Sequence, residues 1–216
     1  MNIIKPSHEI LQFTPDLENT IELAGRVCYK SEDRITLGSA EKFIGRLMDS
    51  KHESVLEHGS ITVRIICDRG ISHELVRHRI ASFSQESTRY CNYGKDGFGH
   101  EITVIDIASG FKYDLSNPVD AAKYGIWKSA MDCAEDYYMR LLAAGATPQE
   151  ARSVLPNSLK TEVVITTNPR EWLHIFRLRT SNAAHPQIRE VMFPIQAEFA
   201  LLWPSIFGVK NDNVIS

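Results

Sequence analysis

The chain has 216 residues, of which 24 are Lys or Arg and 27 are Asp or Glu, so its formal net charge is −3. A weakly acidic chain lacks the broad positive surface that general nucleic-acid binding requires, so we expect no nucleic-acid partner. No apolar run approaches the length of a membrane span, and the N-terminus has no signal-peptide pattern. These features favour a cytoplasmic protein without a membrane partner.

The cysteines include no closely spaced Cys-x-x-Cys pair, so neither a zinc ribbon nor a thioredoxin-like motif is indicated. Cys28 and Cys133 fall within helix-like patterns and are predicted to be core residues. Cys91 follows a polar segment that is a candidate site, but no base stands beside it in the sequence, which favours an ordinary thiol.

The first half of the chain alternates helical and extended patterns. Apolar spacing predicts a helix over 15–30 and a second helix with Ser39 as its N-cap. Residues 60–68 alternate apolar and polar side chains, which predicts a strand, and a short helix should follow through His78. Residues 80–93 hold few core-type side chains, so we expect an ordered, irregular loop.

The middle of the chain has clear capping signals. Residues 101–108 are a second strand candidate. Asn117, followed by Pro at the first helical position, should begin a long helix that ends near Gly145. Thr147 and Glu150 have the spacing of a capping box and predict another short helix.

The last part of the chain adds a strand and two helices. Residues 161–167 are rich in β-branched side chains, and Asn168 should cap a helix that reaches about Arg179. A final helix is predicted over 186–203, with a kink at Pro194, and the tail from about 210 should be frayed. The few strands mixed among many helices indicate an α+β fold.

The most informative segment, residues 77–90, places three arginines, a histidine and four Ser or Thr hydroxyls close together. Guanidinium groups are permanently charged forks that suit phosphates and carboxylates, so the segment indicates a phosphorylated small-molecule ligand. A solvated, charged helix end is the alternative interpretation.

Two other chemistries, a metal site and a serine nucleophile, are not supported by the residues of this region. His73 and His78 resemble a zinc-protease pair but are five positions apart, so on a helix their side chains diverge by about 140°. No metal site is therefore predicted. Ser87 has no readable Ser-His-Asp partners, and an unactivated hydroxyl is a weak nucleophile.

The spacing of Arg77-His78-Arg79, seven residues and then Ser87 resembles the signature of the flavin-dependent thymidylate synthases. Three further blocks resemble that family in the same order along the chain. They are His52-Glu53-Ser54 with Glu57-His58, Ala151-Arg152 with Leu155-Pro156, and Asn168-Pro169-Arg170 with Leu178-Arg179. The resemblance therefore extends over most of the chain.

The resemblance implies a single catalytic domain over 1–216, with a curved, mostly antiparallel sheet flanked by helices. It also implies a homotetramer whose sites are shared between subunits. The implied reaction is the conversion of dUMP to dTMP, with methylenetetrahydrofolate as carbon donor and FAD, reduced by NADPH, as hydride source. A flavin or nucleotide-binding protein without catalytic activity is the alternative.

The resemblance also implies roles for individual residues. The dUMP pocket would be formed by Glu74, Arg77, Gln85, Glu86, Ser87, Thr88, Arg89, Arg152 and Arg179. The FAD site would be formed by His52, Ser54, Arg77, His78, Arg79, Gln85, Asn168, Arg170 and His174. Arg179 would be catalytic, because a guanidinium beside the uracil ring stabilises the negative charge left when N3 loses its proton.

One segment departs from the family pattern. Many relatives have Ala-Gln-Trp-Glu where this chain has Ala184-His185-Pro186-Gln187. No flavin or folate contact is therefore assigned to this segment, and the folate-binding residues stay unassigned.

Overall fold

The computed structural model describes residues 1–208. Its strands are β1 Asn2–Ile4, β2 Ser7–Phe13, β3 Ile61–Asp68, β4 Ser82–Gln85, β5 Thr103–Ile105 and β6 Lys160–Thr167. Its helices are α1 Leu17–Val27, α2 Ser39–Asp49, α3 Arg69–Leu75, α4 Ala108–Phe111, α5 Pro118–Ala143, α6 Pro148–Ala151, α7 Pro169–Arg179, α8 Pro186–Leu202 and α9 Pro204–Phe207. Short 3-10 turns occupy Glu32–Arg34, Glu53–His58, Asp96–Phe98 and Arg152–Val154. None of the helices within 1–208 has both the length and the apolar character needed to cross a membrane.

The main sheet has four strands in the order β2-β3-β6-β4, and every neighbouring pair is antiparallel. β3 and β6 pair over their full lengths, from Ile61 opposite Thr167 to Asp68 opposite Lys160. A separate pair, β1 and β5, runs parallel. The predicted α+β class, with a mostly antiparallel sheet and flanking helices, is confirmed.

The two central strands alternate buried and more exposed side chains, so that one face of the sheet packs into the core. Val63 and Ile65 of β3 and Val163 and Ile165 of β6 are buried in the main core. Helices α7 and α8 cover this face with an aromatic cluster in which Trp172, Phe176 and Phe199 lie with ring centroids 5.2–5.6 Å apart. The Trp172 indole donates to the carbonyl of Ile61 at 3.2 Å, which ties α7 to the start of β3.

A smaller core packs the long helix α5 against the β1/β5 pair. Ile102, Val104 and Leu159 are buried here against Met131 and Tyr138 of α5. Met131 and Tyr138 are the buried residues of this 26-residue helix, so most of its surface is accessible in one chain.

The predicted helix starts agree closely with the structure. Asn117 and Asn168 cap α5 and α7 through their side chains, and the Thr147–Glu150 capping box is complete. Ser39 is not an N-cap but the first residue of α2, because Gly38 with φ of +77° occupies the cap position. The predicted tail from about 210 lies outside the described residues.

Several other expectations were wrong. The predicted loop over 80–93 contains the strand β4, which gains its hydrogen bonds from β6. The extended part of 101–108 is confined to β5, and the helix expected through His78 ends at Leu75. Cys28 and Cys133 are exposed instead of buried.

Candidate active site

Arg179, the last residue of α7, is held by three hydrogen bonds to the end of α3 and the segment after it. Its Nε donates to His78 Nε2 at 3.0 Å. One terminal nitrogen donates to the Glu74 carboxylate at 2.7 Å, and the other donates to the Glu74 carbonyl at 3.0 Å. A guanidinium has five N–H donors, so one N–H on each terminal nitrogen is left for a ligand. The side chain is 19% exposed and can therefore be reached.

His78 is buried and electrically neutral. Burial, together with the neighbouring Arg179 and His174, lowers its pKa from 6.5 to about 4. Because an arginine Nε can only donate, His78 Nε2 must be the acceptor, and the ring proton sits on Nδ1. Nδ1 lies 3.3 Å from Oε1 of Glu171, and burial raises the pKa of that carboxyl group.

His78, Glu171 and His174 offer ligand atoms that all lie within 4.8 Å of one another, which is a spacing compatible with a metal ion. In each histidine ring, however, the unprotonated nitrogen that could bind a metal ion already faces an arginine guanidinium. Arg179 donates to His78, and Arg177 lies 3.0 Å from Nδ1 of His174. Two fixed positive charges beside the cluster oppose a further cation, so hydrogen bonding accounts for the arrangement without a metal ion.

A cleft of about 380 Å³ opens beside this cluster. Its lining consists of Glu53, Glu57, Ile80, Asn168, Arg170, Glu171, Leu173, His174 and Arg177. Arg170 pairs with Glu57 at 2.5 Å and lies 3.7 Å from Glu53, so much of its charge is already balanced. The Asn168 side-chain oxygen accepts from the backbone N–H of Glu171 at 2.9 Å, and its amide N–H groups can donate to a ligand.

A second group of predicted residues begins at the end of β4, with Gln85. The Gln85 amide nitrogen lies 2.8 Å from Ser72 Oγ and 3.2 Å from Thr161 Oγ1. Glu86 accepts from the Tyr93 hydroxyl at 2.9 Å and from Lys160 Nζ at 2.9 Å. Tyr93 and Lys160 thus hold the Glu86 carboxylate, and with it this loop, in place.

Ser87, Thr88 and Arg89 of the dUMP set form the turn after Glu86, and Arg152 follows the neighbouring helix α6. Ser87 Oγ accepts from the backbone N–H of Arg89 at 3.3 Å, and Thr88 is buried. Arg89 Nε donates to Gln149 of α6 at 3.0 Å, which brings this turn beside the helix that leads into Arg152. No general base is hydrogen-bonded to Ser87 among the described residues, so its geometry suits binding and not nucleophilic attack.

Helix α3 connects the cluster around Arg179 with the residues around Gln85. Ser72 of this helix contacts Gln85, and Glu74, two positions later, holds Arg179. Arg77 and Arg79 are exposed in the segment after the helix, and no side-chain hydrogen bond or ion pair of either is recorded within 1–208. His52 and Ser54 are also exposed, on the turn whose Glu57 reaches Arg170.

The donor chemistry of these residues suits a flavin dinucleotide. The exposed guanidiniums of Arg77 and Arg79 fit an anionic diphosphate, and the cleft with its amide and imidazole groups fits a planar, polar-edged ring. Reasoning from sequence missed four contributors: Glu171, Lys160, Ser72 and Thr161. The family motifs assign no role to any of them, and each acts through a contact with a residue at least 13 positions away.

The segment that departs from the family pattern has a structural role. His185 is the N-cap of α8, and its Nδ1 accepts from the backbone N–H of Gln187 at 3.3 Å. Pro186 occupies the first turn, where its missing N–H has no cost. Gln187 is buried and donates to Asp68 at 3.1 Å, and Asp68 in turn caps α3. This segment therefore anchors the helix that carries Ser72 and Glu74.

Comparison with known proteins gives a consistent result. A family model described as thymidylate synthase complementing protein matches residues 9–205. The flavin-dependent thymidylate synthase of Geobacter sulfurreducens is 35% identical over 205 residues, which cover 92% of this chain and 84% of the relative. That of Pyrococcus furiosus is 32% identical over 198 residues, which cover 88% and 78%.

A solved structure is also similar. It is a UMP/dUMP methylase, PolB, from Streptomyces cacaoi, bound with 5-Br dUMP. It superposes with a TM-score of 0.82 at 25% identity, and the match covers 96% of this chain and 95% of that one. The fold and the site define an α+β protein with exposed arginines, Arg77 and Arg79, at its candidate site. The chain belongs to the flavin-dependent thymidylate synthase family, and the predicted resemblance is confirmed.

Proposed function

We propose that this protein converts dUMP to dTMP by reductive methylation. Methylenetetrahydrofolate donates the carbon, and FAD, reduced by NADPH, serves as the hydride carrier. The observation that carries this proposal is the geometry of the Arg179 guanidinium. His78 and Glu74 hold it in place, and one N–H on each terminal nitrogen stays available next to the arginine- and hydroxyl-rich segment 77–90. The family match over most of the chain supports the same reaction.

Arg179 supplies electrostatic stabilisation. When the uracil ring loses its N3 proton, the free N–H groups of the guanidinium stabilise the negative charge that develops, and C5 becomes a better carbon nucleophile. Arginine is suited to this role because it keeps its charge at any pH of interest. The neutral His78 ring and the Glu74 carboxylate fix the guanidinium plane, so little reorganisation is needed during the reaction.

The substrate phosphate would be bound by the turn after β4. Ser87, Arg89 and Arg152 supply a hydroxyl and two guanidiniums, and Lys160 neutralises the Glu86 carboxylate that would otherwise repel an anion. Burial alone would lower the pKa of Lys160, but its hydrogen bonds to Glu162 and Glu86 outweigh burial and raise it. Lys160 therefore stays charged.

FAD, when bound, supplies the hydride that completes the methyl group. The residues that would hold it are His52, Ser54, Arg77, His78, Arg79, Gln85, Asn168, Arg170 and His174. No residue of the chain is needed as a covalent nucleophile, which agrees with the lack of a base at Ser87 among the described hydrogen bonds. The homotetramer, the single catalytic domain, the preference for NADPH and the cytoplasmic location stay predictions.

The test is dTMP formation by flavin-stripped protein given dUMP, methylenetetrahydrofolate and NADPH, with and without added FAD. We expect product only in the reaction that contains FAD. A bound-flavin spectrum without any dTMP would instead favour the alternative, a flavin or nucleotide-binding protein without synthase activity.

A further inference from the structure

Gln85, the last residue of β4, is held by two hydroxyl groups that come from different elements. Ser72 lies in α3 and Thr161 lies in β6, and both residues are 0% exposed. The Gln85 amide nitrogen lies 2.8 Å from Ser72 Oγ and 3.2 Å from Thr161 Oγ1. Burying a hydroxyl is unfavourable unless it is hydrogen-bonded, so these contacts matter to the folded state.

The hydrogen-bond pattern fixes which way the Gln85 amide faces. Ser72 Oγ lies 2.9 Å from the carbonyl oxygen of Arg69, which can only accept. The single hydroxyl proton of Ser72 is therefore used there, and Ser72 can only accept from Gln85. The amide NH2 must face Ser72, and its second N–H reaches Thr161.

With both N–H groups occupied, the carbonyl Oε1 is the polar atom of Gln85 that is left for a ligand. No protein partner of Oε1 is recorded within 1–208, and the residue is partly exposed. Gln85 thus presents a fixed hydrogen-bond acceptor at the edge of the cluster, although a free glutamine side chain can equally well donate.

We propose that Ser72 and Thr161 are positioning residues that turn Gln85 into an acceptor for a donor group of dUMP. This rests on the proposed function and on the dUMP set implied by the family resemblance, which includes Gln85. The donor is the N3–H of the uracil ring or the 3′-hydroxyl of the sugar. A ligand that presents an acceptor at this point is rejected, because the NH2 group cannot turn toward it without leaving a buried hydroxyl unpaired.

The same helix links this acceptor to the catalytic arginine. Ser72 and Glu74 lie two positions apart in α3, and Glu74 accepts two bonds from Arg179. Asp68 caps the helix and is held by Gln187. One short helix therefore fixes the separation between the Gln85 acceptor and the Arg179 guanidinium.

The first test is calorimetric titration of dUMP into FAD-loaded protein, which does not depend on turnover. Thr161→Val keeps the shape of the side chain and removes its hydroxyl, and Ser72→Ala releases the amide. We expect the Kd for dUMP to rise about tenfold in each, which is the usual effect of losing one well-placed hydrogen bond. Thr166→Val is the control, because it removes a hydroxyl of the same strand whose side-chain partner within 1–208 is Thr62, at 2.9 Å, and not Gln85.

The second test asks whether the hydroxyls act through Gln85. Thr161→Val should have no further effect on dUMP affinity when it is combined with Gln85→Leu. Variants that lower the melting temperature but bind dUMP like the parent protein would overturn the proposal, since the hydroxyls would then only stabilise the fold. If Ser72→Ala does not fold, the nearly isosteric Thr161→Val decides the question alone.

Two dUMP analogues identify the donor. N3-methyl-dUMP lacks the ring N–H, and the 3′-deoxy analogue lacks the sugar hydroxyl. The analogue without the partner of Gln85 should bind weakly to the parent protein and lose no further affinity in Gln85→Leu. Equal sensitivity of both analogues to Gln85→Leu would contradict an acceptor role. Failure of the parent to make dTMP would contradict the proposed function, whereas the titrations report on the acceptor separately.

Discussion

Among single residues, Arg179 matters most, because three hydrogen bonds hold its guanidinium in place while one N–H on each terminal nitrogen stays available. We expect Arg179→Ala to lower dTMP formation by about two to three orders of magnitude, the usual loss when a preorganised electrostatic group is removed. FAD affinity should change far less, because Arg179 is expected to act on dUMP. Arg179→Lys should not restore activity, since an ammonium group cannot make the same forked contacts to Glu74 and His78.

The comparison is made by measuring turnover and the FAD dissociation constant on the same protein preparations. Equal losses of turnover and FAD binding in Arg179→Ala would refute the assigned role.

Ser87 has a binding role in this account and no covalent one. Ser87→Ala should therefore weaken dUMP binding but keep measurable dTMP formation, since one hydroxyl contact is lost and the arginines stay in place. Steady-state kinetics against dUMP concentration measures both effects. Mass spectrometry of reaction mixtures is the control, and a nucleotide adduct on Ser87 would contradict the prediction.

The buried, neutral His78 predicts a pH effect on stability. Its pKa is about 4 in the folded protein and 6.5 when unperturbed, so between these values the unfolded chain binds the extra proton. The free energy of unfolding therefore falls as pH drops from about 6.5 to 4, by at most about 3 kcal/mol from this residue. The raised pKa of the neighbouring Glu171 works in the opposite direction.

Urea denaturation of the parent and of His78→Gln at several pH values separates the two contributions. The pH slope between 4 and 6.5 should be smaller in the variant. Parallel curves for the two proteins would mean that His78 does not titrate with a lowered pKa.

At the scale of elements, the start of α7 serves both the fold and the site. Asn168 caps the helix through its side-chain oxygen, so Asn168→Ala should lower the free energy of unfolding by about 1 kcal/mol. Asn168→Ser keeps the cap but removes the amide N–H groups. If the amide contacts flavin, the serine variant loses FAD affinity at nearly unchanged stability. Thermal unfolding and flavin titration of both variants check this, and equal FAD affinity in parent and serine variant would limit Asn168 to capping.

The helices were largely predictable from sequence because their signals are local. Asn117, Thr147 and Asn168 each cap a helix with a side chain only two or three positions away from its partner. β4 was missed because its Ser-Phe-Ser-Gln sequence has one large apolar residue, and it is a strand through its pairing with β6. That pairing joins residues about 80 positions apart, and no local pattern encodes it.

The candidate site likewise contains residues that sequence motifs identify and residues that only long-range contacts identify. Arg179 and the Arg77–Arg79 block were found through family motifs, but the hydrogen bond between Arg179 and His78 spans 101 positions. The motifs assign no role to Lys160, Thr161 or Glu171, so only the folded chain reveals their contacts with Glu86, Gln85 and His78.

For the whole molecule, an exposed apolar face of α5 is consistent with the expected assembly of several chains. Val119, Ile126 and Cys133 lie seven positions apart on this helix, so they share one face, and all are exposed in a single chain. The expected homotetramer would cover such a face, which would also account for the misassigned Cys133. Light scattering should give a mass of four chains, and Ile126→Glu should lower it. A monomeric parent protein would contradict the tetramer.

The most direct test of the central claim is release of tritium from dUMP labelled at C5, because methylation at that carbon must displace its hydrogen. The FAD-loaded protein with methylenetetrahydrofolate and NADPH should release tritium. Flavin-stripped protein should release none, and release should drop by about two to three orders of magnitude in Arg179→Ala. Unchanged release without flavin, or in Arg179→Ala, would contradict flavin-dependent methylation driven by this arginine.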